Sequence, residues 1–584
     1  MTEPSSAQKP GGLGLSLEGL GLLTLAVSFT TWFAGWPAGL PSGAPAAVLA
    51  VLVGTWAYRA RRRLAPPYPE TWAVLALAIA YRLPALLHPW GLVNRDGAYG
   101  AFVALHLLAG QRPAPVFTEG ANYQGTLKGH LAALFSLITG SRDFSLLVTA
   151  AGLVLSLVFI LASMALARRL GGRGAALFTG VYLALGPKFL TIFTLNSVGQ
   201  YVDILALGGL ALALLARLLD LDLSGLTARG HYLGLGLLLG AAFWQQPVAL
   251  SYAVAVGLVL LLRRRTWRDG WVLLTPLGFL LGALPVLLWN VQHGWASGDI
   301  MGRDSDLLRA QAEALLVSIE RTLTAAFPIL AGLSPGHPWT TVPLVPTLAR
   351  LLLPAVLVAF LAATGRQVWS GVRQGRPPST LLPPLLMAFS LASFWAVASG
   401  HLYSRPRYLL PVMAASSVHL GVVAARAWRR WPAPTAVGMA ALVAFGVVGT
   451  VPRLRQCAAI AERYGLIVRS LDEKGIRTGY ADFSLSAPVT MFTAERILLS
   501  PRLGPTPAYE SEVQEQRVIR EGPDAFVLRP DDDAQAFGET LTRLGVSFRF
   551  APTPVPVFYQ LSKRVPVEEV RGFRGHSDVA ESDE

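Results

Sequence analysis

Residues 94–99 read Asn-Arg-Asp-Gly-Ala-Tyr, a short polar segment that follows directly on an apolar one. The apolar stretch before it, Thr71–Leu87, approaches the ~20 residues that a bilayer-crossing helix needs. After it, Ala98–Ala109 is apolar but too short to span, which predicts a helix lying in the membrane interface. The segment therefore places a carboxylate, Asp96, at a membrane boundary, where it indicates chemistry at the membrane surface.

The composition of the whole chain predicts a polytopic membrane protein. Of its 584 residues, 53% are hydrophobic and 14% are charged, and the mean hydropathy is +0.48. Soluble domains carry about a quarter charged residues. The net charge of +14 does not indicate nucleic-acid binding, because the arginines stand at the ends of apolar runs, where the positive-inside rule puts them. The one cysteine, Cys457, excludes an intramolecular disulfide and a Cys-based zinc cluster.

Hydropathy divides residues 13–451 into about thirteen predicted spans of bilayer length. Their approximate centres are Leu20–Trp36, Ala44–Tyr58, Thr71–Leu87, Phe144–Leu166, Ala175–Ile192, Ile204–Ala216, Tyr232–Trp244, Val248–Leu262, Trp271–Trp289, Leu351–Ala363, Leu381–Ala398, Tyr408–Ala424 and Val437–Val451. With these spans, all basic clusters fall on one side, which the positive-inside rule makes cytoplasmic. Residues 1–12 are then a cytoplasmic tail, and 90–142 and 290–346 are outer loops in an inner or plasma membrane protein.

The outer loops and the C-terminal part carry predicted elements of their own. In the loops we predict helices over Ala98–Ala109, Leu127–Ile138 and Asp306–Ala325. Residues 452–565 are predicted to be an extracytoplasmic soluble α/β domain, and the polar residues 566–584 a disordered tail. Within that domain, helices are predicted over Arg453–Lys474 and Asp532–Leu544, and strands over Ile476–Tyr480, Arg496–Leu499, Ala525–Leu528, Val546–Phe550 and Val555–Leu561. The predicted fold class is thus an all-α polytopic membrane protein with a small α/β domain at its C-terminal end.

Asp96 is the first candidate for a catalytic group. A carboxylate at the membrane boundary can act as a general base that accepts a proton from an acceptor hydroxyl or amine. Two structural roles are equally open for the residue alone, since Asp96 could cap a helix that starts at Gly97 or pair with a neighbouring arginine.

Four further charged residues near the outer surface are candidates for substrate binding. Arg405 and Arg407 stand at the outer mouth of a late span, against the positive-inside bias, and a guanidinium suits phosphate; the alternative is an interfacial anchor. Lys128 could also reach a phosphate, although lysines readily extend to the interface. Asp203 begins a span, where an acid is costly unless it is solvated or paired, so it either assists at the site or pairs with a lysine or arginine.

Several known site motifs are missing from the sequence. It has no HExxH motif and no His-x-His pair, so a His-based metal site is unsupported and none is predicted. It also has no Walker A sequence and no GxSxG elbow. These absences disfavour an ATP-driven pump and an α/β-hydrolase.

The order of several segments resembles the GT-C superfamily of membrane glycosyltransferases, and within it the family 39 branch. That branch includes dolichyl-phosphate-mannose–protein mannosyltransferases and bacterial aminoarabinose lipid A transferases. The resemblance covers roughly residues 81–451. It departs from the family in two apolar spans that precede the one leading into the Asp96 loop, where the family usually has none, and in Gln124-Gly125 in place of the usual Pro-Pro. The matching segments are Asp96-Gly97-Ala98-Tyr99, Tyr123-Gln124-Gly125-Thr126-Leu127, Gly240-Ala241-Ala242-Phe243-Trp244, Leu284-Pro285-Val286-Leu287-Leu288-Trp289-Asn290 and Arg407-Tyr408-Leu409-Leu410-Pro411.

The resemblance implies an inverting glycosyltransferase with a sugar on polyprenyl phosphate as donor and an envelope lipid, glycan or protein as acceptor. Asp96 would deprotonate the acceptor, while Arg407, with Arg405 or Lys128, would bind the lipid phosphate. It also makes Asp203, Tyr99 and Tyr123 candidates for substrate binding. No cofactor is expected to be required, and a divalent metal is optional in this superfamily.

Two other functions compete with sugar transfer. A transporter, or a flippase for lipid-linked sugars, would need ionisable residues buried within the spans and usually paired repeats. The predicted spans are nearly free of charge. The second alternative is a non-catalytic scaffold that presents the C-terminal domain. It would give no function to the outward-facing Arg405 and Arg407 or to the long first outer loop.

Overall fold

The computed structural model describes residues 68–565 and 569–570, apart from gaps within this range. The gaps are 94, 111–114, 120, 197, 222–224, 264–269, 298–314, 331–361, 363–365, 367–368, 371–372, 374–378, 398–405, 502, 504–516, 521 and 566–568. Several predictions lie outside the described residues: the N-terminal tail, the spans Leu20–Trp36 and Ala44–Tyr58, the span Leu351–Ala363 except Ala362, and nearly all of the C-terminal tail. Side chains of a few helical residues, including Arg95 and Asp96, also lie outside them.

Apolar helices form most of the described chain. In chain order they are α1 (Pro69–Leu87), α2 (Arg95–Leu108), α3 (Leu127–Thr139), α4 (Phe144–Ala184), α5 (Lys188–Leu195), α6 (Tyr201–Leu221), α7 (Gly225–Gln245), α8 (Leu250–Leu262), α9 (Leu274–Gly282), α10 (Leu284–Gln292), α11 (Leu315–Arg321), α12 (Leu382–Val397), α13 (Leu410–Trp428) and α14 (Pro432–Glu473). Five helices in the described ranges are long and apolar enough to cross a membrane, or six if the bent pair α9–α10 is one span. The total of about thirteen spans stays a prediction.

Helix α4 lies at the centre of the membrane part and packs against α1, α6 and α13. Gly172 has φ +83°, outside the helical region, and interrupts α4 between the predicted spans Phe144–Leu166 and Ala175–Ile192. The second of these predicted spans is not one continuous helix. It ends at Ala184, and α5 begins after Pro187, because proline lacks the amide hydrogen that would continue the helix.

Glycines allow α7 and α9 to pack with their backbones in contact. A Cβ on Gly236 or Gly240 of α7 would overlap backbone carbonyl oxygens of α9, and one on Gly278 or Gly282 would overlap those of α7. Each pair is spaced by four residues, the small-xxx-small pattern of close helix pairs in membranes. The predicted span Trp271–Trp289 bends by 53° where α9 meets α10, at Leu284-Pro285.

Two short helices and a hairpin occupy the first predicted outer loop. Helices α2 and α3 contain 14 and 13 residues, too few to cross a bilayer, and they confirm the predicted helices in this loop. Between them, β1 (Phe117–Thr118) pairs antiparallel with β2 (Ala121–Gly125). The sequence did not predict this hairpin. In the second loop, α11 lies within the predicted helix Asp306–Ala325, of which residues 306–314 are outside the described part.

A five-stranded mixed sheet follows α14. Its strands are β3 (Thr478–Ala481), β4 (Leu498–Ser500), β5 (Ala525–Val527), β6 (Arg549–Ala551) and β7 (Val557–Tyr559), in the order β4-β3-β5-β7-β6. Strands β3, β4 and β5 are parallel, and the remaining pairs are antiparallel. Each strand overlaps a predicted one. Helix α16 (Ala534–Arg543) lies within the predicted helix Asp532–Leu544, whereas α15 (Phe483–Phe492) was not predicted.

Candidate functional site

The candidate site lies where the first outer loop meets the start of α6. A 3-10 turn, Val198–Gln200, precedes α6 and contacts both α2 and β2. Asp96 is the second residue of α2, so it lies inside the first turn rather than at a cap position before Gly97. A negative charge is favourable there, because backbone amides at a helix N-terminus point outward. The side chain of Asp96 is outside the described part.

A buried ion pair joins α3 to α6 beside this turn. Nζ of Lys128 lies 3.5 Å from Oδ2 of Asp203, and both side chains are fully buried. Lys128 also donates a hydrogen bond to the backbone carbonyl of Asn196, at 3.3 Å. Neither carboxylate oxygen of Asp203 has a hydrogen-bond partner among the described residues. The pair therefore has the geometry of a loose ion pair, with hydrogen-bonding capacity left on both groups.

Tyr201, two residues before Asp203 at the start of α6, lies near Arg407. The Tyr201 ring meets the edge of the Tyr408 ring at 6.1 Å between centroids, and the guanidinium of Arg407 lies 5.7 Å from the centre of the Tyr408 ring. Arg407 and Tyr123 are also close enough to the hydroxyl of Tyr201 to interact with it electrostatically. The fold thus brings Lys128, Asp203, Tyr123 and Arg407 into one neighbourhood, although they lie in four separate segments of the chain.

Four buried amide side chains in this neighbourhood were not predicted from the sequence as site residues: Asn196, Gln200, Gln245 and Gln246. Oε1 of Gln245 accepts a hydrogen bond from the backbone amide of Leu127 at 3.1 Å, and Gln246 donates to the hydroxyl of Tyr201 at 3.4 Å. The signal was present, since Gln245-Gln246 is a polar pair at the end of an apolar run, directly before Pro247. Amides there supply uncharged donors and acceptors next to the charged pair.

Backbone strain marks the same place. Gly199 and Gln200 have φ of +62° and +56°, in the left-handed region. Glycine adopts this conformation freely, but glutamine does so at a cost of about 1–3 kcal/mol, and such residues cluster at functional sites. The turn is held in this form between α2, β2 and the first turn of α6.

The remaining candidates have simpler positions. Tyr99 packs edge-on against Phe102, at 5.6 Å, within an apolar cluster under α2. Arg405 lies outside the described residues. No group of three His, Cys, Asp or Glu side chains in the described part is arranged to hold a metal ion.

One buried charge within a predicted span has a structural role. Arg82 of α1 is 1% exposed and donates hydrogen bonds to the carbonyl oxygens of Leu183 and Ala184, at 3.2 and 2.7 Å. These are the last carbonyls of α4, which have no partner within that helix. Arg82 therefore caps α4.

Comparisons with known proteins identify the fold. No protein-family model and no curated protein sequence matches the chain. The structure is similar to ArnT from Cupriavidus metallidurans bound to undecaprenyl phosphate, with 16% identity, a TM-score of 0.50, and coverage of 85% of this chain and 98% of ArnT. An oligosaccharyltransferase from Archaeoglobus fulgidus aligns with 11% identity and a TM-score of 0.45 over 84% of this chain and 73% of that one. At this identity the comparison shows the fold alone, and this chain shares the fold of ArnT.

Proposed function

We propose that this protein transfers a sugar from a polyprenyl-phosphate donor to an envelope acceptor on the outer side of the membrane, with inversion at the anomeric carbon. The observation that carries the proposal is the buried Lys128–Asp203 pair in one neighbourhood with Arg407, beside the helix that begins with Asp96. Two cations at a membrane boundary suit an anionic lipid headgroup. The similarity to ArnT, which was solved with undecaprenyl phosphate, supports the same ligand class.

Asp96 acts as the general base in this reaction. It accepts the proton of the acceptor hydroxyl or amine while the acceptor atom attacks the anomeric carbon. The bond between the anomeric carbon and the phosphate oxygen breaks, and its electron pair leaves with the polyprenyl phosphate. Because attack and departure occur on opposite faces of the sugar, the configuration inverts.

Arg407 and Lys128, with Arg405 as a further candidate, stabilise the phosphate as it gains charge. Preorganised cations in a site shielded from water lower the barrier by stabilising charge that develops in the transition state. Asp203 keeps the ammonium of Lys128 in place before the donor arrives. At 3.5 Å the pair is loose enough for Lys128 to bind a phosphate oxygen while it stays near Asp203. Tyr123 would contact the substrate, whereas Tyr99, buried in the apolar cluster under α2, would support that helix instead.

The topology follows from the arginine distribution in the sequence, with the N-terminus in the cytoplasm and the C-terminal domain outside. The donor then reaches the site from within the bilayer, and the acceptor arrives from the outer space. A divalent metal is not required in this scheme.

The test uses protein reconstituted in vesicles that contain undecaprenyl-phosphate-linked sugars. The sugar and acceptor are first identified by mass spectrometry of envelope glycans from a deletion strain. Asp96→Asn is expected to lower turnover by about 10²–10⁴-fold, the usual contribution of a general base. Asp531→Asn, which changes an exposed carboxylate in the C-terminal part of the chain, serves as the matched control. Turnover at the wild-type rate by Asp96→Asn would remove Asp96 from the mechanism.

A second variant tests the phosphate site without requiring turnover. Arg407→Ala is expected to weaken binding of undecaprenyl phosphate by about 10-fold or more, because a hydrogen bond to a charged group contributes about 1.5–3 kcal/mol. Unchanged affinity would exclude Arg407 from the phosphate site, whatever sugar is transferred.

A further inference from the structure

Four charged side chains connect the first outer loop to the C-terminal part of the chain. His106 lies near the end of α2, and its Nε2 is 2.6 Å from Oε1 of Glu495, in the loop after α15. Its Nδ1 is 3.4 Å from Oε1 of Glu119, which follows β1. The other carboxylate oxygen of Glu495 accepts a hydrogen bond from Arg517. Since both ring nitrogens face carboxylates, only the imidazolium form of His106 can donate to both.

Apolar contacts extend the same interface along α2. Ala487 and Met491 of α15 belong to one buried cluster with Ala98, Ala101 and Phe102 of α2. This cluster covers the helix face between Asp96 and His106.

A further contact lies on the other side of Asp96. Phe492, the last residue of α15, stacks on Trp90 with ring centroids 4.5 Å apart and planes inclined by 7°. Trp90 precedes α2, so α15 and the loop after it hold the Asp96 segment at both ends.

The backbone after α15 is strained at this interface. Ala494 and Glu495 both have left-handed φ values, +48° and +63°, which non-glycine residues rarely adopt. Such a conformation persists only where surrounding contacts over-determine it. Here it directs the Glu495 side chain, 11% exposed, towards His106.

We propose that Glu495 is a positioning residue, which, through His106, clamps α2 to the C-terminal part of the chain and thereby fixes Asp96 for the reaction. This inference rests on the proposed function, because it concerns the orientation of the proposed base. The C-terminal part of the chain is then a component of the active centre. A freely tethered module would not hold α2 in this way.

The ionisation of His106 agrees with this geometry. Burial opposes its protonation, but hydrogen bonds to Glu119 and Glu495 outweigh that effect and raise the pKa of His106 to about 9. Glu119 and Glu495 are the charged groups that act on it among the described residues, and Arg517 faces Glu495. The contacts of His106 with Glu495 and Glu119, which we call the clamp, are therefore formed at neutral pH and are lost as the pH rises through about 9.

The test compares Glu495→Gln and His106→Gln in the full-length protein, with Glu539→Gln as the matched control, an exposed glutamate in the same part of the chain. Hydrogen–deuterium exchange of residues 95–108 is the first readout, because it needs no substrate. Both clamp variants are expected to exchange about 10-fold faster there than wild type at pH 7, since local opening becomes easier. After correction for the intrinsic pH dependence of amide exchange, wild type is expected to lose this extra protection above pH 9, whereas His106→Gln shows no such pH-dependent loss.

Turnover is the second readout. Both variants are expected to lower kcat about 10- to 100-fold while the KM for the lipid donor stays unchanged, because the base is misplaced and the phosphate site is intact. Exchange in residues 95–108 that equals wild type in both variants would overturn the clamp. Faster exchange with wild-type kcat would overturn the positioning role. If wild type shows no transfer at all, the proposed function fails, and the exchange data still decide the clamp.

Discussion

Replacing Lys128 with methionine tests both the stability and the function of the buried ion pair. The side chains of Lys128 and Asp203 are fully buried, 3.5 Å apart. Methionine matches the aliphatic stem of lysine but leaves the Asp203 carboxylate buried without a counter-charge. Removing one partner of a buried pair costs about 3–5 kcal/mol. At about 1.4 kcal/mol per factor of ten, the ratio of folded to unfolded protein falls by about 10²- to 4 × 10³-fold.

The double variant Lys128→Met/Asp203→Asn separates the two roles. Without either charge no uncompensated ion remains, and replacement of a buried pair by uncharged groups is often close to neutral. We therefore expect the apparent Tm in detergent to fall in each single variant and to recover largely in the double variant. Binding of undecaprenyl phosphate is expected to stay impaired in the double variant, because the ammonium that we propose to bind the phosphate is absent.

Lys563→Met, an exposed lysine in the C-terminal part, is the control for loss of a positive charge. Two results would refute the reasoning. A Lys128→Met protein as stable as wild type would show that burial of the Asp203 carboxylate does not depend on the counter-charge of Lys128. A double variant that binds the lipid phosphate at wild-type affinity would exclude Lys128 from the phosphate site.

Two further predictions concern the clamp and the helix packing. The contacts of His106 raise its pKa to about 9 in the folded chain, from 6.5 ordinarily. At about 1.4 kcal/mol per pKa unit, this shift contributes about 3 kcal/mol to the free energy of unfolding. That stability is fully present below pH 6.5 and is lost as the pH rises through about 9, so thermal unfolding between pH 6 and 10 should show the loss in wild type and not in His106→Gln. Gly240→Ala is expected to destabilise the α7–α9 contact, because its Cβ would overlap the carbonyl oxygen of Phe279. Gly257→Ala on α8 has nothing within 4 Å of its Cβ and should leave the apparent Tm unchanged or slightly higher. Equal Tm values for the two alanine variants would contradict the proposed packing.

Local sequence patterns predicted the elements that depend on local interactions. The lengths of apolar runs predicted α2 and α3 as non-spanning helices, and short strand-like runs predicted the positions of the C-terminal strands. Helix α15 was missed because Pro488 lies within it and the flanking residues show no clear helical pattern. The break at Gly172 falls between two predicted spans, as the sequence indicated, whereas the break between α4 and α5 at Pro187 was not predicted because the apolar run continues across it.

The sequence by itself determined the membrane class, the GT-C-like order of segments and Asp96 as a boundary carboxylate, since hydropathy, arginine placement and motif order are properties of the linear chain. Only the tertiary structure decided which charges meet. Lys128 pairs with Asp203, and His106 with Glu495, 389 positions away. Such pairs depend on how helices cross. Crossing depends in turn on side-chain volumes at helix contacts, such as the one between Gly240 of α7 and Phe279 of α9. The four-residue spacing of such glycines indicates a close helix pair, but it does not say which two helices, and hence which side chains, meet.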